Sequence, residues 1–104
     1  MSEKAWRDVI AVDELEKNWV TRVEFERKTI AVYDTPTGIC ASLALCTHNG
    51  ADLCDGYFDD HVIECPLHQG AFDVRDGMPV AAPATRPMRI LDVRVQDGRV
   101  KIRI

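Results

Sequence analysis

The chain has 104 residues, of which 46% are apolar and 29% charged, and its formal net charge is −4 at pH 7. This length fits one domain with a modest core, and this composition excludes a disordered chain. The acidic balance argues against a nucleic-acid-binding protein, whose surface would be basic. No apolar run approaches the roughly 20 residues that a membrane-spanning helix needs.

The first residues of the chain, 1–8, are charged and lack the apolar stretch of a signal peptide, so a cytoplasmic location is expected. In a reducing cytosol, cysteines serve as metal ligands or buried residues more often than as disulfide partners. The four cysteines, Cys40, Cys46, Cys54 and Cys65, are therefore candidates for those two roles.

The N-terminal third predicts one short helix followed by strands. Residues 12–18 have a brief helical pattern, with Asp13 as an N-cap and Glu16 three residues further on. Apolar and polar residues then alternate with the period of a strand over 19–25, and β-forming residues follow over 29–33.

The remaining elements are also strands. Turn residues at 34–38 precede an apolar strand over 39–45. Near the C-terminus, two alternating runs at 91–95 and 100–104 flank an Asp-Gly pair at 97–98, which is the strongest short-range signal of a β-hairpin. The sequence therefore predicts an all-β fold of short antiparallel strands.

Residues 46–73 differ in composition from the rest of the chain. They hold three of the four cysteines, all three histidines and six acidic residues, namely Asp52, Asp55, Asp59, Asp60, Glu64 and Asp73. Such a segment supplies little apolar core, and a metal centre would supply the missing order.

Two half-motifs lie in this segment, C-x-H at 46–48 and C-x-x-H at 65–68, and sixteen residues separate them. Each half pairs a thiolate with an imidazole, and these donors suit iron, zinc or copper. The short spacing within each half predicts a loop, where Gly50 and Gly70 would let backbone N–H groups turn inward. A colourless zinc site with two cysteines and two histidines remains an alternative.

The sequences CTH at 46–48 and CPLHQG at 65–70 resemble those of the Rieske family, in particular the ferredoxins of aromatic-ring dioxygenase systems of the naphthalene dioxygenase type. The resemblance covers nearly the whole chain. It implies a Rieske-type antiparallel β sandwich or barrel, as a single domain over 1–104, with an inserted cluster-binding subdomain at about 44–75.

The same resemblance implies the cofactor and its ligands. Cys46 and Cys65 match the residues that hold one iron of a Rieske [2Fe-2S] cluster, and His48 and His68 match those that hold the other. Such a cluster has no open iron position and the sequence contains no nucleophile–base pair, so no catalytic residues are expected.

The implied function is that of a one-electron carrier. The resemblance predicts that the chain accepts electrons from an NAD(P)H-dependent flavoprotein ferredoxin reductase and passes them to a terminal Rieske non-haem iron oxygenase. A monomer with no nucleic-acid or membrane partner is expected. Two alternatives are a small Rieske-like subunit of a larger reductase, such as assimilatory nitrite reductase, and a zinc-binding interaction module.

The resemblance also predicts a low reduction potential. High-potential Rieske proteins carry two further cysteines and two hydroxyl side chains near the cluster, and the matching positions here are Ala51, Leu67, Gly70 and Phe72. Fewer hydrogen bonds to sulfur stabilise the reduced state less, which favours the low end of the Rieske range, about −150 mV. Residues 79–84 resemble the loop that covers the cluster.

Other polar residues of the segment receive structural interpretations. Cys40 is expected to be a small buried residue, Cys54 to have no function, and His61 to be a solvated turn residue. The acidic residues within 52–60 form either a solvated face or a docking surface for a partner.

Overall fold

The computed structural model describes residues 5–45, 51–66, 70–82 and 86–103. Those residues form ten strands: β1 (Trp6–Ala11), β2 (Val20–Phe25), β3 (Lys28–Thr35), β4 (Gly38–Leu43), β5 (Tyr57–Asp59), β6 (Val62–Glu64), β7 (Ala71–Asp73), β8 (Pro79–Ala81), β9 (Ile90–Gln96) and β10 (Arg99–Arg103). They also form two 3₁₀ turns, Val12–Glu14 and Leu53–Asp55. In this part of the chain no helix is long and apolar enough to cross a bilayer.

The strands form two antiparallel sheets, which confirms the all-β prediction. The larger sheet has six strands in the order β1-β10-β9-β4-β3-β2, and the smaller has four in the order β5-β6-β7-β8. The two edge strands of the larger sheet, β1 and β2, contact each other. The Arg7 guanidinium lies 3.7 Å from the carboxylate of Glu26, which directly follows β2. The larger sheet is therefore curled towards a barrel.

Strand β3 is buried on both faces. Ile30 and Val32 point to one side, and Ala31 and Tyr33 point to the other; all four are fully buried. The first side belongs to the barrel core, whose buried residues are Val23, Ile30, Val32, Ala41, Leu91, Val100 and Ile102. The second side belongs to the inter-sheet core, whose buried residues are Val20, Ala31, Tyr33, Ala44, Leu53, Phe58, Ile63, Cys65, Phe72, Val74 and Met88.

Tyr33 shows how the inter-sheet core joins the two sheets. Its ring lies 5.3 Å, centroid to centroid, from the ring of Phe58 on β5. Its buried hydroxyl lies within hydrogen-bonding distance, 2.9 Å, of Ser42 Oγ on β4, and burial raises the pKa of this phenol. A buried hydroxyl with a partner avoids the cost of an unsatisfied polar group, so the tyrosine can occupy the middle of the core.

The predicted C-terminal hairpin is confirmed. Strands β9 and β10 pair in register from Arg99↔Gln96 to Arg103↔Asp92. Asp97 and Gly98 both have positive φ, 54° and 73°. These are the conformations that a two-residue type I′ turn requires, and they match the right-handed twist of the flanking strands.

Two features at the N-terminus differ from the prediction. Strand β1 was not predicted, because a register shift between Asp8 and Ile10 interrupts the alternation by which a strand is detected. The helix predicted over 12–18 is wrong in extent. Only Val12–Glu14 form a 3₁₀ turn, and its N-cap is Ala11 rather than Asp13.

Gly77 and Gly98 provide a matched test of this packing. Both have positive φ, 79° and 73°. A Cβ on Gly77 would overlap the Met88 carbonyl oxygen and lie 2.9 Å from Ile90 Cγ1, whereas a Cβ on Gly98 would meet no atom within 4 Å. Gly98→Ala is expected to lower the free energy of unfolding by about 1–2 kcal/mol through backbone strain. Gly77→Ala is expected to lower it further, because its Cβ would also overlap neighbouring atoms. Urea unfolding of the cofactor-loaded proteins, followed by far-UV circular dichroism, measures both losses. Equal losses would contradict the close packing at Gly77.

Candidate metal centre

The second half-motif begins at the end of a tight hairpin. Strands β6 and β7 pair through Glu64↔Ala71, and the Cys65 N–H donates to the Gly70 carbonyl at 2.7 Å. Backbone pairing therefore brings Cys65 and Gly70, on either side of residues 66–69, close together. Cys65 is 2% exposed and belongs to the inter-sheet core, whereas Pro66 is exposed. His68 lies outside the described residues.

The first half-motif, with Cys46 and His48, also lies outside the described residues, but its flanks are described. Leu45 forms an isolated β-bridge with Asp52, and the Leu53 N–H donates to the Ala44 carbonyl at 2.7 Å. The chain therefore returns at residues 51–53 to the point where it left at 44–45. Backbone pairing therefore joins the two chain segments that flank the first half-motif.

The segments that flank the two half-motifs meet on one buried platform, which is formed by Ala44, Leu53 and Cys65. Ala44 and Leu53, at the base of the first loop, are fully buried in the same core as Cys65. Gly56 packs so closely on the backbone of Glu64 that a Cβ there would overlap the Glu64 carbonyl oxygen. The platform therefore brings the described flanks of the two half-motifs together, and Cys65 is part of it. Two thiolates and two imidazoles from such loops form a donor set that suits a [2Fe-2S] cluster.

His61 is not the solvated turn residue that the sequence predicts. It does lie in the β5–β6 turn, but it is only 7% exposed. Its Nδ1 lies 2.7 Å from Asp60 Oδ2, and its Nε2 lies 2.9 Å from Thr37 Oγ1 in the turn between β3 and β4. The β5–β6 turn packs against the β3–β4 turn, so the imidazole is buried between the two sheets and holds them together. Both ring nitrogens are engaged by neighbouring residues.

The two cysteines outside the half-motifs pack as small side chains. Cys40 and Cys54 are half-buried and lie against the inter-sheet core. Burial and the neighbouring Asp52 carboxylate raise the pKa of the Cys54 thiol to about 12. A cysteine binds metal as the thiolate, and this shift disfavours the thiolate form of Cys54.

Much of the acidic run is paired within the chain. One nitrogen of the Arg22 guanidinium lies 2.8 Å from Asp52 Oδ2 and 2.9 Å from Asp55 Oδ1. These two carboxylates raise the pKa of Arg22. Since Asp60 contacts His61, three of the acidic residues in 52–60 help to hold the structure, a role that neither sequence interpretation included. Asp59 is exposed.

The positions singled out by the family resemblance are partly described. Phe72 is fully buried in the same core as Cys65, and Gly70 is buried beside it. Pro79 opens strand β8, whose Val80 and Ala81 are exposed. Leu67 and residues 83–85 lie outside the described residues. In the segments that are described, no group of three or more His, Cys, Asp or Glu side chains is placed to hold a metal ion.

Comparison with known proteins identifies the family. The family model described as "Rieske [2Fe-2S] domain" matches residues 5–98. The chain belongs to the Rieske [2Fe-2S] family. It is 40% identical over 102 residues to the ferredoxin component of a naphthalene 1,2-dioxygenase system from Pseudomonas aeruginosa, covering 98% of this chain and 97% of that one.

Other relatives agree with this Rieske assignment. An anthranilate 1,2-dioxygenase ferredoxin subunit from Burkholderia cepacia is 37% identical over 99 residues, covering 95% of this chain and 92% of the relative. A chain in the complex of reduced oxygenase and oxidised ferredoxin of carbazole 1,9a-dioxygenase superposes with a TM-score of 0.88. It is 36% identical, and the match covers 96% of this chain and 94% of that one.

The family defines the cofactor and the type of function. The Rieske chain carries one Rieske-type [2Fe-2S] cluster. Its relatives are ferredoxin components of dioxygenase systems, which transfer electrons and are not themselves the catalytic enzymes. The chain is accordingly an electron carrier of the ferredoxin type.

Proposed function

We propose that Cys46, His48, Cys65 and His68 hold the [2Fe-2S] cluster, with the cysteines on one iron and the histidines on the other. The observation that carries this proposal is the buried platform that the flanks of both half-motifs share and to which Cys65 belongs. The core of two ferric ions and two sulfides has a charge of +2, which two thiolates cancel and two neutral imidazoles leave unchanged. An added electron then meets less repulsion than with four thiolates, so imidazole ligation raises the potential.

The protein's own contribution is to position the ligands and exclude water. We propose that residues from about 44 to 75 act as a cluster-binding subdomain within a single domain over 1–104. Strands β5, β6 and β7 of this segment form a sheet of their own, to which β8 adds beyond residue 75. The inter-sheet core shields the platform from solvent. Leu45 and Pro66 are exposed where the loops begin, which leaves the loop side open to a partner.

The proposed role is to shuttle single electrons in an aromatic-ring-hydroxylating dioxygenase system. The donor would be an NAD(P)H-dependent flavoprotein reductase, and the acceptor a terminal Rieske non-haem iron oxygenase that acts on an aromatic compound. We propose that the carrier works as a cytoplasmic monomer. The ferredoxin components among its relatives belong to systems named for naphthalene and anthranilate, and one structural relative is in a complex with its oxygenase.

The ligand assignment predicts different outcomes for the three histidines. His48→Asn and His68→Asn are expected to abolish the red-brown visible absorption and the electron paramagnetic resonance signal of the dithionite-reduced protein. His61→Asn, the matched control, is expected to keep both, while its unfolding free energy falls by about 1–2 kcal/mol, because Thr37 and Asp60 lose their partner. An unchanged chromophore in either of the first two variants would exclude that histidine as a ligand.

The cluster environment predicts a low reduction potential. Phe72 occupies a fully buried position in the same core as Cys65 and has no hydroxyl to donate to sulfur. Because hydrogen bonds to sulfur stabilise the reduced state, the midpoint potential is expected near the low end of the Rieske range, about −150 mV. Potentiometric titration followed by visible circular dichroism measures this value. A clearly positive potential would contradict the prediction.

The carrier role is tested by electron transfer between separate proteins. The purified protein, mixed with a flavoprotein ferredoxin reductase, NADH and a naphthalene-type terminal oxygenase, is expected to support product formation in proportion to its concentration. Gel filtration is expected to show a monomer. Stoichiometric co-purification with a large reductase, together with no transfer to the oxygenase, would instead favour the reductase-subunit alternative.

A further inference from the structure

We propose that Arg22 is a positioning residue for the cluster: it clamps the segment that closes the first ligand-bearing loop onto strand β2, and its charge offsets the carboxylates beside that loop. The inference rests on the proposed function in one respect, the assignment of Cys46 and His48 as ligands. Arg22 lies far from both half-motifs in the sequence, and its role follows from contacts between β2 and the second 3₁₀ turn.

The position of Arg22 on β2 directs it towards the inter-sheet core. It shares a strand face with Val20, which is buried in that core, and it pairs across the sheet with Ala31, which is buried there too. Leu53 is buried in the same core and lies between the two acidic partners of Arg22 in sequence. The guanidinium therefore lies at the rim of this core, where the second 3₁₀ turn meets the sheet.

The contacts of Arg22 reach the residue that closes the loop. Asp52 is the bridge partner of Leu45, which directly precedes Cys46. One carboxylate oxygen of Asp52 contacts the guanidinium at 2.8 Å, and the other accepts a hydrogen bond from the Cys54 N–H at 2.8 Å. One oxygen of Asp52 thus ties the second 3₁₀ turn to β2, and the other caps that turn. The position of Asp52, where the chain returns after the first half-motif, therefore depends on its contact with Arg22 on β2.

The exposure of this network decides what kind of effect it has. The side chain of Arg22 is 43% exposed, and isolated ion pairs at such exposure contribute little to global stability. The effect is expected to be local, because the residues that flank the first half-motif, 44–45 and 52–53, pair at this closure. Without Arg22, the carboxylates of Asp52 and Asp55 would lie on one short turn with no guanidinium between them, and their repulsion would loosen it.

The same network sets the charge beside the loop. Arg22 offsets one of the two negative charges of Asp52 and Asp55. A variant without the guanidinium leaves both charges uncompensated, which disfavours adding an electron nearby. Reduction should therefore become harder, and a lysine, which keeps the charge and can approach the same carboxylates, should restore much of the original potential.

The test compares Arg22→Gln and Arg22→Lys with the charge-matched control Arg99→Gln. Arg99 forms a similar pair, 2.8 Å from Asp8 with 44% exposure, but it lies on the β1–β10 side of the larger sheet. Arg22→Gln is expected to lose its visible absorption about fivefold faster in the presence of an iron chelator. Its midpoint potential is expected to become more negative. The electron paramagnetic resonance signal of the dithionite-reduced variant is expected to broaden. Arg22→Lys and Arg99→Gln are expected to remain close to the parent protein.

The outcomes separate this inference from the ligand assignment. If the parent protein shows the Rieske signal and Arg22→Gln matches it in release rate, potential and line shape, the clamp has no role and the inference is wrong. If Arg99→Gln shifts the potential as much as Arg22→Gln does, net charge alone explains the effect, and the inference is again wrong. A parent protein without the signal would contradict the proposed function instead.

Discussion

Under the proposed ligand assignment, two half-motifs sixteen residues apart have to offer ligands to one cofactor, and the rest of the structure depends on meeting this constraint. The inter-sheet core meets it by burying the bases of both loops together, through Ala44 and Leu53 on one side and Cys65 on the other. Backbone hydrogen bonds close each loop where it leaves the core. Close packing of this kind is rigid, so it fixes the separation of the two loop bases.

The double burial of β3 connects this platform to the rest of the molecule. The residues of β3 that face the barrel core hold the larger sheet together, and those that face the inter-sheet core support the smaller sheet. The smaller sheet has strands of only three residues. Such short strands have little stability of their own, so they depend on Tyr33 and its neighbours for a packing surface.

Polar contacts then complement the apolar platform. His61 joins the β5–β6 turn to Thr37 in the larger sheet, and Arg22 joins β2 to the second 3₁₀ turn. Hydrogen bonds and ion pairs are directional, whereas apolar burial is not. These two contacts lie at the border of the core. They can therefore fix the orientation of the smaller sheet and of the second 3₁₀ turn on the larger sheet, which apolar packing alone does not specify.

The sequence by itself determined the family, the all-β class and the C-terminal hairpin. These features are encoded locally: the C-x-H and C-x-x-H spacings define the donor set, period-two alternation defines strands, and Asp97-Gly98 defines the turn. The ligand assignment of Cys46, His48, Cys65 and His68 stays a prediction, and of these four residues only Cys65 lies in the described segments.

Only the tertiary structure decided which residues meet across the two sheets. Strand β1 was missed because its bulge breaks the alternation, and the helix predicted after it proved to be a single 3₁₀ turn. His61 was expected in solvent because nothing nearby in the sequence indicates that Thr37 will cover it. Arg22 and Asp55 are 33 residues apart, and no local pattern predicts their contact. Burial and pairing at such distances depend on how the sheets pack, which the periodicity of one strand cannot specify.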